Sequence, residues 1–295
     1  MWVNIKRTQG DRVKSLILFL GIAGGVWGSG PDLESARKLY HLTEFQQSLQ
    51  ELQAIPNKTA PVYELMGRNY YGQGEFKKAT DSLEKALALE PDSSEINLWM
   101  GRAYGRRAET SSMITAPGFA SKARQFFERA AQLNPNNLEA QSDLFEYYLE
   151  APGFLGGGLD KASATAAQIA RINPAEGFWA QAKLAEKRKE YPKAEAHLRN
   201  ALEAAPQQIG RLIDLAHLFT KQGRYHDADL SLAKAEQIAP NSPQLMFAKA
   251  DLYIKSKRNL DAARELLKRY LMSPLTPDDP PRAEAEKLLK QVQGS

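Results

Sequence analysis

An all-α solenoid of stacked antiparallel helix pairs is the fold class this 295-residue sequence predicts, and three observations predict it. Pro91, Pro135, Pro174, Pro206, Pro240 and Pro274 follow one another at 44, 39, 32, 34 and 34 residues, a period near 34. Residues 66–91, MGRNYYGQGEFKKATDSLEKALALEP, set Gly67, Tyr70, Gly74, Phe76, Ala79, Ala86 and Pro91 at intervals that Ala216, Phe219, Gly223, Tyr225, Ala228, Leu232 and Ala235 repeat before Pro240. Compact residues thus recur where two helices would nearly touch, and bulky ones recur at helical spacing on the inward faces.

The elements follow in chain order. Residues 1–29 open with Lys6, Arg7, Arg12 and Lys14 against Asp11, continue into an uncharged run from Ser15 and end in small residues. This is the pattern of a signal peptide or an N-terminal membrane anchor. Either reading takes the rest of the chain out of the cytosol, to an exported, periplasmic or secreted place, or to one tethered at the membrane. That segment carries 4 − 1 = +3 of the total charge of +4, leaving about +1 elsewhere, so no nucleic-acid partner is expected. With no cysteine, the chain has no disulfide, thiolate metal site or thiol nucleophile. Its 43% of apolar residues suffice for a sizeable core. Residues 30–59 read as a degenerate helical hairpin with Tyr40, Phe45 and Leu52 turned inward.

From 60 to 276 the pattern gives six units, starting near Ala60, Ser94, Leu138, Ala175, Ile209 and Pro243. Gly67 and Ala79 stand at the close approach of the two helices of the first unit, where a larger side chain would overpack. Tyr70, Phe76 and Leu83 fill the space between the helices. Gly74 supplies the turn, Ala86 lets the next unit stack, and Pro91 stops the second helix. Later units depart in places: Phe145 takes a position expected to be small, and the sixth unit offers Ala262 and Leu266 with Arg269 at its late small position. Residues 277–295, with Asp278 and Asp279 ahead of prolines, read as a polar capping helix.

This pattern resembles the tetratricopeptide repeat family, over roughly three quarters of the chain. The resemblance implies a right-handed superhelix and a non-enzymatic scaffold that needs no cofactor and binds a protein or peptide partner in a concave groove lined by the first helix of each unit. Its groove positions fall on Arg68 and Tyr71, Arg102 and Arg106, Trp179 and Lys183, His217, and Phe247, a set in which cations outnumber acids. With the N-terminal signal, the implied setting is the bacterial cell envelope. The alternative is a membrane-anchored structural subunit of an envelope assembly.

The second and third units carry 10 and 5 extra residues, each bearing the tetrapeptide Ala-Pro-Gly-Phe, at 116–119 and 151–154. One turn design used twice would set Phe119 and Phe154 side by side as a lip over one end of the groove, or would merely close a longer connection around a tucked phenylalanine. GFLGGGLDKA lacks the G-K-[ST] ending of a phosphate loop and follows a helix where a strand is required. His226, Asp227 and Asp229 fit a helix's first turn better than a metal site. No catalytic grouping stands out.

Overall fold

The computed structural model describes residues 32–293; the predicted signal or anchor at 1–29 lies outside them. Among the described residues every regular element is a helix. Helices α1 (Leu33–His41) and α2 (Phe45–Ala54) form a first pair, followed by α3 (Ala60–Gly72) with α4 (Phe76–Leu89), and α5 (Ser94–Thr110) with α6 (Ala116–Leu133). Next come α7 (Leu138–Glu150) with α8 (Leu159–Ile172), α9 (Pro174–Lys187) with α10 (Tyr191–Ala204), α11 (Ile209–Lys221) with α12 (Tyr225–Ile238), and α13 (Pro243–Lys255) with α14 (Leu260–Met272). Helix α15 (Arg282–Gln293) packs on α14 and α13, burying Ala285 and Val292.

The close approaches explain the residue sizes. A Cβ on Gly67 would come within 2.5 Å of Leu83 Cγ, and one on Gly101 within 2.5 Å of the Phe127 ring. Ala79, Ala86, Ala123, Ala130, Ala194, Ala201, Ala228 and Ala235 are all buried on second helices. First helices also touch one another, α3 with α5, α5 with α7, α7 with α9 and α11 with α13, and so line the inner face of the stack. Asn173 ends α8 and also caps α9, its side chain accepting from the amides of Ala175 and Glu176. With so short a connection the two helices meet at Gly177 and Ala170.

Three-residue connections turn each regular pair through one residue in the left-handed region. That residue is Gly74 (φ 77) and Gly223 (φ 73) in two units, but Lys189 (φ 61) in another. The last pair departs from the rule, and so from the sequence reading. Its connection has four residues, with both Lys257 and Asn259 left-handed, and the extra residue rotates α14 by one position. Ala263, Leu267 and Tyr270 are therefore buried where Ala262, Leu266 and Arg269 were expected, and Ala262 is exposed.

The two insertions are likewise not one design. The second unit absorbs its extra length by growing both helices, to 17 and 18 residues, so that Ala116–Phe119 becomes the first turn of α6. In the third unit the helices keep 13 and 14 residues and the extra residues remain a loop, with a short 3-10 turn at Gly153–Leu155. Gly156 (φ 86) and Gly158 (φ 154) fold this loop back, and a Cβ on Gly157 would overlap the Ala151 carbonyl. The loop's polar groups are used internally. Gly158 N donates to Tyr148 O (2.8 Å), and the Tyr147 hydroxyl donates to Leu155 O (2.9 Å).

Candidate functional site: the inner face

At the inner face of α3 and α5 an aromatic cluster is flanked by cations. The Trp99 ring has the Arg68 guanidinium over it at 4.7 Å and the Arg102 guanidinium at 4.8 Å, and Tyr71 meets it edge-on at 5.4 Å. Tyr71 also contacts Phe76, over which Arg106 lies at 5.1 Å. A guanidinium lies flat on an indole at little cost in hydration, so these rings and charges hold one another in place. Trp99 was missed by the repeat reading. Its only signal is position, with Glu95 four residues before it and Arg102 three residues after, on one helix flank.

The cations do not stand free. Arg68 pairs with Glu64 and with Glu95 of the next first helix (2.7 Å). Arg102 reaches across to Asp143 (2.6 Å) and Glu139 (3.1 Å), and Arg106 pairs with Glu109. Farther along, Lys183 spans to Asp214 (3.1 Å), Arg211 to Glu176 (2.8 Å) and Asp214 (2.7 Å), Lys187 to Glu150 (2.8 Å) and Lys221 to Glu186 (2.7 Å). Carboxylates of adjacent first helices thus meet the cations, and the positive excess expected of the groove is absent. Helix counting sorts residues onto faces of one unit. It does not show which acid of the next unit reaches them.

Burial and pairing shape the titration of the site. Burial opposes the charge of Arg102, but Asp143 and Glu139 outweigh it and raise the pKa further. Burial alone would raise Asp214, yet Lys183 and Arg211 hold it below the usual carboxylate range. His217 is lowered to about 4, first by burial and then by Lys183, so its imidazole is neutral near pH 7.

The remaining predicted positions lie deeper. Trp179 is buried edge-on against Phe145 (5.7 Å) with Arg211 over its ring at 5.1 Å. Phe247 is buried against Tyr270 (5.3 Å), the residue that the one-position rotation of α14 brings inward.

Phe119 and Phe154 are presented differently, one packed into a helix and the other standing out on a loop. Phe119 is half-buried, stacked near Tyr104 (6.1 Å) beneath the Arg107 guanidinium at 4.2 Å, because its tetrapeptide is helical. Phe154, in the loop, is 78% exposed. The longer α5 and α6 instead overhang the α3–α4 turn and leave an open depression of about 440 Å³ lined by Phe76, Lys77, Lys78, Arg107 and Phe119. Among the described residues no group of three His, Asp or Glu is placed to hold a metal, and no helix is long and apolar enough to cross a membrane.

Comparison with known proteins agrees with this geometry. The family profile of the tetratricopeptide repeat matches residues 60–93, and a second profile of the same repeat matches residues 213–280. A tetratricopeptide repeat protein from Parabacteroides merdae superposes with a TM-score of 0.59 at 15% identity, covering 88% of this chain and 97% of the other. A thermophilic tetratricopeptide protein of Thermus thermophilus superposes with a TM-score of 0.51 at 20% identity, covering 67% and 97%. At such identities the likeness concerns the fold. No curated protein sequence matches the chain.

Proposed function

Because this chain belongs to the tetratricopeptide repeat family, whose repeats are in general modules for protein–protein interaction, we propose that it is a non-enzymatic scaffold holding a protein or peptide in its concave groove. The observation that carries this reading is the inner face itself. First helices of successive units touch, and their inward flanks alternate ring-stacked, half-buried guanidiniums with carboxylates from one unit to the next. A segment lying along such a face meets aromatic surface and both signs of charge. The fitting partner is therefore an extended or helical peptide with apolar side chains and mixed charge, rather than a purely acidic one. Arg68, Tyr71, Arg102 and Arg106 form the contact zone at one end, and Lys183 with His217 continues it, beside the deeper rings of Trp179 and Phe247.

We place the protein in the bacterial envelope on its N-terminal sequence, basic and then uncharged from Ser15 to Gly30. Removal of that segment leaves a free scaffold; retention makes the chain a tethered subunit. Amino-terminal sequencing of the native protein distinguishes the two.

Photo-crosslinking in native cells tests the groove. A photoreactive residue at Tyr71 or Lys187, on first helices, is expected to capture a specific partner that the same group at Lys85, exposed on α4, does not. Equal capture from Lys85, or none from the inner positions, would remove the groove as the binding surface.

A further inference from the structure

The two long edges of the solenoid carry opposite charge, which a whole-chain balance hides. Because successive helices run antiparallel, the turns within pairs lie along one edge and the turns between pairs along the other. Each turn is taken as the last four residues of the incoming helix, the connection, and the first four of the outgoing helix. The seven turns within pairs then hold 14 Lys and Arg against 9 Asp and Glu, 14 − 9 = +5. The seven turns between pairs hold 5 against 11, 5 − 11 = −6. On the basic edge Lys77, Arg188, Lys189 and Lys257 are exposed and form no ion pair among the described residues.

The same basic edge carries the tips of both insertions. Met113 is 94% exposed, Ile114 90% and Phe154 78%. They sit in runs without a charged residue, 111–121 and 151–159, on the neighbouring turns of α5–α6 and α7–α8. These turns adjoin in space: the 3-10 turn packs on α6, and Arg124 of α6 lies against Gly156. Exposed long apolar side chains on protruding turns gain nothing in water.

We infer that this edge is a docking face for an anionic phospholipid bilayer, with Met113, Ile114 and Phe154 entering the headgroup–acyl boundary and the basic turns resting on lipid phosphates. The charge complements an anionic lipid surface or a nucleic acid equally well. The apolar tips favour the lipid, because a phosphate backbone offers them no apolar environment. The proposal does not depend on the groove: an edge-on stance leaves the inner face open to a partner.

The chain has no cysteine, so single thiols can be placed and labelled with an environment-sensitive nitrobenzoxadiazole probe. Full-length Ile114→Cys and Phe154→Cys are expected to brighten and shift to the blue with vesicles of equal parts phosphatidylcholine and phosphatidylglycerol, and to respond much less to phosphatidylcholine alone. Met272→Cys, 86% exposed on the acidic edge, is expected not to respond. Each of Lys77, Arg188, Lys189 and Lys257 changed to Gln is expected to weaken binding to the anionic vesicles roughly fivefold, the effect fading at high salt. Silent probes at 114 and 154 on anionic vesicles overturn the proposal, even if the N-terminal segment brings the chain to the membrane. So does an equal response at Met272→Cys, or retention of duplex DNA with no vesicle response, which would make the edge a nucleic-acid face.

Discussion

Gly177→Ala tests the idea that residue size at helix crossings sets this architecture. Alanine normally improves a helix interior over glycine by about 0.5–1 kcal/mol. Here the added Cβ would lie 2.5 Å from the Ala170 Cα, with the Ala170 Cβ closer still. A flexible side chain would swing aside, but these atoms belong to the backbone of α8 and its first side-chain carbon, and the connection at Asn173 leaves no slack. Overpacking of this kind costs about 1–3 kcal/mol, and at a backbone contact the upper end applies. The net expectation is a loss of about 2 kcal/mol. Gly118→Ala is the matched control. It lies in the first turn of α6 with nothing within 4 Å of an added Cβ, and is expected to gain up to about 0.5 kcal/mol. Urea titration followed by loss of helicity measures both. A Gly177→Ala protein as stable as the parent, or more so, would refute the argument.

Arg211→Met leaves the buried Glu176 without its guanidinium partner and deprives Asp214 of one of its two cations, and is expected to lower stability by about 3–5 kcal/mol in urea. Adding Glu176→Leu should restore much of that loss, whereas a single-variant loss below about 1 kcal/mol would contradict the burial argument. Because the folded pKa of His217 is lowered to about 4, the unfolded chain takes up its proton first as pH falls. Stability is therefore full above the ordinary imidazole pKa and declines towards pH 4, by up to roughly 3 kcal/mol from this group. His217→Gln should flatten that slope; coincident pH profiles for parent and variant would remove the assignment.

The helix pairs were legible because their signal is local. Gly67 and Gly101 each answer to one bulky residue on the partner helix of the same unit, Leu83 and Phe127, which lie 16 and 26 residues on, the difference being the 10-residue insertion of the second unit. Reading failed where a count was broken: one extra residue in the last turn moved burial from Ala262 to Ala263 and brought Tyr270 onto Phe247. Gly177 escaped notice for a related reason, since its crossing joins two units and has no place in the pattern within one. The tetrapeptides at 116–119 and 151–154 share a sequence but not a conformation, because helix growth absorbs one insertion and glycines fold the other back.

By itself, then, the sequence determined the stacking of antiparallel helix pairs and, outside α14, the side that the close-packed small residues turn inward, both consequences of residue size repeating at helical intervals. Only the tertiary structure decided the electrostatics. Whether Arg102 is a free groove cation or the partner of Asp143, and whether scattered lysines gather on one edge, depends on contacts between units, and those follow from the stacking of whole helices rather than from any spacing along the chain.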